Sequence, residues 1–225
     1  MHAGLLTYRL CDRGFDCEHC LLDAALRGRL SQVEGSVVLE GGSAGGAVCD
    51  DRLYALGHTW VQRLADGDAC RIGLDAFGAA LLGRVARVEW SRSDSVFEPG
   101  DPMCEIDLGL GTVSVCAPVG GRLVRRNEAL RFEPALLIRA PYEDGWILEL
   151  IAADPAELDR LAAPRVATDR MNADLRRFRW CLALRLLADL RADEGLAAGG
   201  CPALTDLRHV VAGYDYLDLL RQFIH

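Results

Sequence analysis

Between Leu53 and Ile151 apolar residues fill, or alternate through, short runs that Gly, Pro, Asp and Ser separate from one another. The runs are LYALGHTWVQRL, ACRIGL, RVARVEW, MCEIDLGL, TVSVCAPV, GRLVRR and WILELI. Their β-branched and apolar content and close spacing predict the short strands of a small barrel or sandwich. DAFGAALLG, between the second and third runs, reads as one or two helical turns. Beyond Asp154 the period lengthens. DPAELDRLA opens with an Asp-Pro helix start. Over 168–193, Met171, Leu175, Phe178, Leu182, Leu186 and Leu190 fall on one stripe, the signature of an amphipathic helix. AAGG follows, and LTDLRHVVAG and YDYLDLLRQF predict two further short helices.

Ahead of the strands, CLLDAALRGRL carries apolar residues at helical spacing, and the GGSAGG within VEGSVVLEGGSAGGAVCDD predicts a flexible linker or mobile loop. The chain therefore divides into a cysteine-bearing segment (1–35), a Gly-rich linker (36–52), a strand-rich domain (53–163) and a C-terminal helical extension (164–225). Within the strand-rich domain EIDLGLGTVSVCAPVGG has the form of a hairpin, with Asp107 and Leu108 leading into a turn that holds Leu110 between Gly109 and Gly111. The two glycines allow positive backbone φ. If Leu108 and Leu110 share an exposed patch, a protein-docking surface is expected. The alternative is that Leu110 folds back onto the barrel or the C-terminal helices.

Composition narrows the function. A net charge of −8 lacks the basic footprint of a nucleic-acid binder, and no apolar run approaches the roughly 18 residues needed to span a bilayer. The N-terminus has no secretory pattern, so the expectation is a cytoplasmic protein without nucleic-acid or membrane partners. All 25 basic residues are arginine. The chain thus has no side-chain amine for a Schiff base, a lysine general base or an amide-linked prosthetic group, and arginine stays protonated in proteins.

Nine cysteines in a reducing compartment are thiols or metal ligands. Cys11, Cys17 and Cys20 are spaced Cys-x5-Cys-x2-Cys with His19 in the last gap, and Cys49 lies further along. The Cys-x2-Cys step suits one edge of a tetrahedral metal such as zinc, with Cys49 as a distant fourth ligand. It also suits dithiol–disulfide cycling, Cys20 standing at a helix N-terminus. The third alternative is plain packing. Cys104 and Cys116 flank the hairpin, and Cys116 is a candidate functional thiol there, although strand packing is the simpler role. Cys70, Cys181 and Cys201 read as packing residues. His58 reads as a hydrogen-bonded structural histidine, and Trp60, Trp90 and Trp146 as strand packing. RRFRW (176–180), with Asp169, Asp174 and Asp189, reads as a solvated salt-bridging helix face. No phosphate-binding loop and no nucleophile–base–acid set is present, so no enzyme is expected.

From about Leu53 to Ala162 the chain resembles the H protein of the glycine cleavage system. HTWV (58–61) is similar to the family's HEWV, and GDACRIGLDAFGAALLGRVARVEW to its strand–helix–strand block. VFEPGDPMCEI, APVGGRLVRRNEAL, PALLIRAPYEDGWILEL and DPAELDRL follow its remaining blocks in order. The resemblance implies a β-rich α+β fold, a barrel-sandwich hybrid of the lipoyl/biotinyl-carrier type. It also implies a hairpin that in the family presents a lipoylated lysine, whose arm carries an aminomethyl group between enzymes.

Counting back from Ala117-Pro118 puts the lysine's position on Leu110, and the family's Glu-Ser before it on Asp107-Leu108. Leu110 is then a degenerate attachment site and no covalent cofactor is expected. The first expectation is a non-catalytic binding or scaffold protein that docks a protein partner through the barrel. The alternatives are a metal-binding or thiol redox carrier using the N-terminal cysteines, and a lipoyl carrier of glycine cleavage, which the absence of lysine disfavours.

Overall fold

The computed structural model describes residues 48–64, 69–91, 96–192 and 213–224. The N-terminal cysteine segment, most of the GGSAGG linker region and the LTDLRHVVAG helix lie outside the described residues.

Among the described residues nine strands follow one another as β1 (Leu53–Tyr54), β2 (Thr59–Arg63), β3 (Ala69–Leu74), β4 (Arg87–Trp90), β5 (Val96–Phe97), β6 (Pro102–Asp107), β7 (Thr112–Cys116), β8 (Gly121–Arg126) and β9 (Trp146–Ala152). They pair antiparallel in two sheets, one ordered β1-β2-β3-β9-β8-β5 and the other β4-β6-β7. Four short helices stand at the edges: α1 (Ala76–Leu82), α2 (Ala129–Phe132), α3 (Leu136–Arg139) and α4 (Pro155–Leu158). This is the β-rich barrel-sandwich that the strand pattern predicts.

Pleating explains which residues meet inside. Cys70, Ile72 and Leu74 of β3, Ile106 of β6, and Val113 and Val115 of β7 recur at every second position, and all are buried. Between the sheets they join Ile147, Leu148 and Leu150 of β9 in one core. Trp60 is fully buried and donates its indole N–H to the Pro141 carbonyl at 3.1 Å. Across the β2–β3 pair it faces Gly73. A Cβ at Gly73 would stand 2.5 Å from the indole ring, so the glycine is what lets the ring lie flat on the strand. Arg52 closes the outside of this cluster, its guanidinium 4.2 Å from the centroid of Trp60 and 5.1 Å from that of Tyr142.

One charge sits in the sheet. Glu149 is buried on β9, where the register sets it opposite Arg71 of β3 and Arg125 of β8. Arg71 Nη2 reaches Glu149 Oε1 at 2.7 Å, while Arg125 spans both oxygens, its Nε donating to Oε2 at 2.6 Å and its Nη2 to Oε1 at 2.9 Å. Both guanidinia also lie about 5 Å from the ring centroid of Trp146. The hydrogen bond from Arg125, followed by that from Arg71, holds the Glu149 carboxyl below its usual range against the opposing effect of burial.

The C-terminal region supplies a long helix, α5 (Pro164–Ala192), and a short one, α6 (Gly213–Leu220). α5 starts four residues ahead of the predicted 168, because proline is tolerated in a first helical turn where its missing N–H has no partner to lose. Its predicted stripe faces inward: Met171, Leu175, Phe178 and Leu182 are all buried in the barrel's own core. No helix among the described residues is long and apolar enough to cross a membrane.

Two outcomes test this account. Gly73→Ala should cost roughly 1–3 kcal/mol in urea unfolding, because the new methyl must push Trp60 off its site. Glu149, with its folded pKa depressed, contributes stability that is complete above the ordinary glutamate value near 4.3 and is lost as pH falls through the lower folded value. The Glu149→Gln protein should therefore be less stable at pH 7 and show a flatter loss of stability between about pH 5 and 2, read as urea midpoint against pH.

Candidate functional site

Strands β6 and β7 form the hairpin that the sequence predicts, paired from Asp107↔Thr112 down to Pro102↔Cys116 with an irregularity between Pro102 and Cys104. Its turn is built without help from residue 110. The Leu108 N–H donates to the Gly111 carbonyl at 2.9 Å, and the Gly109 N–H donates to Asp107 Oδ1 at 2.8 Å. Gly109 takes φ 77° and Gly111 φ 147°, a region that disfavours any Cβ. Asp107 is further held 3.7 Å from the Arg87 guanidinium on β4.

Of the two alternatives for the tip, an exposed leucine pair or a Leu110 folded back, the structure has the second. Leu108 is 3 % exposed, and Leu110 is half-buried and packed against the core cluster. The turn is backed by the C-terminal segment. A Cβ on Gly111 would come within 2.3 Å of Leu217 Cδ1, so Gly111 serves two ends: it takes the turn conformation and it lets α6 approach. Arg221 Nη2 donates to the Thr112 carbonyl at 3.1 Å on β7, which is an edge strand of its sheet. The Tyr216 hydroxyl donates to the Leu81 carbonyl at 2.7 Å, near the end of α1. Phe223 closes the seam, its ring centroid 6.0 Å from Phe77 of α1 and 5.8 Å from Phe178 of α5, with Arg177 lying 5.2 Å above it.

Beneath this seam His58 joins the barrel to α5. It is 2 % exposed and adopts a positive φ of 58°. Its Nδ1 lies 2.9 Å from Asp75 Oδ2, and its Nε2 lies 3.6 Å from Asp174 Oδ2 on α5. Asp75 is the N-cap of α1, its Oδ1 accepting the Gly78 N–H at 2.7 Å. The Phe77 ring covers the imidazole at 4.5 Å between centroids. Asp174 therefore leaves the solvated arginine face on which the sequence placed it and turns toward the barrel, because a buried histidine offers it a partner there.

Of the predicted metal or redox set, Cys11, Cys17, His19 and Cys20 lie outside the described residues. Cys49 is described and half-buried, with its backbone N–H donating to the Tyr54 hydroxyl at 2.7 Å. Burial pushes its thiol up. Among the described residues no three His, Cys, Asp or Glu side chains are grouped to hold a metal. Cys116, the candidate functional thiol, is half-buried. Its thiol is raised by burial and then by Glu105 and Asp101, so it is no activated nucleophile. Cys104 is fully buried, and burial pushes its thiol up strongly.

The residues that define this face and that sequence reasoning did not assign to it are Tyr216, Leu217, Arg221 and Phe223. Their signal was visible as the helical spacing of apolar residues in YDYLDLLRQF. That spacing says one face is covered and does not say by what.

Comparison with known proteins follows the geometry. The family model described as "Glycine cleavage H-protein" matches residues 52–174. A probable glycine cleavage system H protein of Haloarcula marismortui is 35% identical over 125 residues, covering 56% of this chain and 97% of that one. A mitochondrial glycine cleavage system H protein of Oryza sativa subsp. indica is 31% identical over 117 residues, covering 52% of this chain and 70% of that one. Among solved structures, the crystal structure of a glycine cleavage system H protein from Mycobacterium marinum is similar with a TM-score of 0.48 and 21% identity, covering 56% of this chain and 98% of that one. The family match stops within α5, so the covering segment 213–224 lies beyond it. Over the barrel and the first turns of α5, this chain belongs to the glycine cleavage H-protein family.

Proposed function

We propose that this chain is an H-protein-type barrel that carries no lipoyl group and acts as a non-catalytic protein-binding or scaffold unit. The observation that carries the reading is the hairpin tip. The position that corresponds to the family's carrier lysine is Leu110, and the chain contains no lysine at all. Amide attachment of a lipoyl group needs an amine with a free electron pair, and a guanidinium does not supply one. Asp107-Leu108 also departs from the Glu-Ser that precedes the lysine in the family.

Burial supports the same reading. A swinging arm needs a tip that projects into solvent, whereas Leu110 is packed against the core and Gly111 is in contact range of the C-terminal segment. Deleting a lysine alone would leave a bare, projecting turn. Here the turn is integrated into an apolar seam with the C-terminal segment, so its tip is packed and not projecting. The barrel geometry survives because the turn is fixed by Gly109, Gly111 and the Asp107 carboxylate and not by the residue at its tip.

Intact-mass measurement of the protein made in a lipoylating host should give the bare polypeptide. The Leu110→Lys variant, incubated with lipoyl ligase and lipoate, should be modified at a rate far below that of a lipoyl-bearing family member. Removing segment 213–224 from that variant should raise the rate. A lipoyl mass on the unaltered chain would overturn the proposal.

A further inference from the structure

We infer that the C-terminal segment 213–224 is a resident ligand, seated in a groove that reads one face of an amphipathic helix. The partner that the groove fits is a protein helix with the same pattern of a tyrosine, three leucines and a following phenylalanine. This rests on the protein-binding reading above and names the surface and kind of partner.

The groove has three walls from three parts of the chain. The β6–β7 turn supplies Gly111, bare of a side chain and open to Leu217. α1 supplies Phe77 and the Leu81 carbonyl, and α5 supplies Phe178. The segment answers with Tyr216, Leu217, Leu219, Leu220, Phe223 and Ile224, each 3 % exposed or less, while Asp218, Arg221 and Gln222 face outward. Within α6 the buried positions 216, 217, 219 and 220 have the i, i+1, i+3 and i+4 spacing by which helices dock in apolar grooves, and Phe223 and Ile224 follow in the turn after Leu220.

The polar contacts are also those of a docked peptide. Tyr216 and Arg221 both donate to backbone carbonyls, Leu81 and Thr112, which no side-chain change in the barrel would remove. The Thr112 carbonyl lies on an edge strand, where main-chain acceptors stand ready for any incoming donor. The segment lies beyond the family match. A barrel of this family therefore has no common requirement for it. By contrast, the first turns of α5, with Met171 and the His58 partner Asp174, fall inside the match. A partner helix bringing the same anchors gains the same contacts, and the resident segment lowers its apparent affinity by the fraction of time the groove is filled.

The test uses the full chain with a protease site inserted between Gly199 and Gly200. After cutting, a fluorescent peptide of residues 209–225 is added and followed by anisotropy, with circular dichroism as a check on the fold. The expected result is exchange. The labelled peptide binds the cut protein, binds the uncut protein at least about tenfold more weakly, and loses at least about tenfold in affinity as the Leu217→Asp peptide. A second variant guards against failure of the insertion to fold: Leu217→Asp in the uncut chain should free the groove and bind the unaltered peptide as the cut protein does.

A cut protein that never exchanges its segment, or that loses its β-sheet signal when the segment leaves, would overturn the inference and make residues 213–224 an integral part of the core. Exchange of segments between two copies in a stable dimer of the uncut protein would also overturn it, in favour of self-assembly. A lipoyl mass on the unaltered chain bears on the proposed function alone, so the two failures are distinguishable.

Discussion

Phe77 and Phe178 hold α5 against the barrel, and Phe223 seats the C-terminal segment on that pair. Phe77 comes from the helix after β3, Phe178 from the middle of α5 and Phe223 from the end of the chain, and their ring centroids lie 5.8–6.4 Å apart in edge-on pairs. Edge-to-face rings gain about 0.5–1.5 kcal/mol beyond their area of contact, and each pair here joins elements distant in sequence. His58 extends the same seam inward, its ring on Phe77 and its two nitrogens toward Asp75 and Asp174. With this seam closed, α5 lies on the barrel, the C-terminal segment lies on α1 and α5, and the β6–β7 turn has a surface pressed against it.

That arrangement separates the hairpin's architecture from the family's chemistry. The turn is fixed by backbone hydrogen bonds, an Asp107 carboxylate and two glycines with positive φ, all independent of the side chain at its tip. A change of Lys to Leu at such a position leaves the fold untouched and removes one nucleophilic amine. An apolar tip then has a favourable place to go, against the core, which a charged amine would resist. An apolar tip and a packed turn are thus physically coherent, each lowering the cost of the other.

Cysteine use along the described barrel follows the same economy. Cys70 and Cys104 are buried between the sheets, and burial raises both thiols, that of Cys70 to about 11. Thiols so placed behave as small apolar side chains. The acidic neighbours Glu105 and Asp101 act on Cys116 in the same direction, so the hairpin strands carry sulfur without carrying reactive thiolate.

The sequence by itself determined the longer strands, because period-two alternation and Gly, Pro and Asp punctuation are local properties that any sheet must respect, but the two-residue strands β1 and β5 are too short to carry a period. It determined the amphipathic character of α5 and of the last helix for the same reason, and the missing amine by simple count. It did not determine what each apolar face meets. Whether Leu110 projected or folded back, and whether Asp174 faced water or His58, depended on contacts between residues 100 or more positions apart, such as Gly111 with Leu217 and His58 with Asp174. Those pairings follow from how two sheets and two helices close around a shared core. Periodicity reports that a face is buried, and only the tertiary structure names its neighbour.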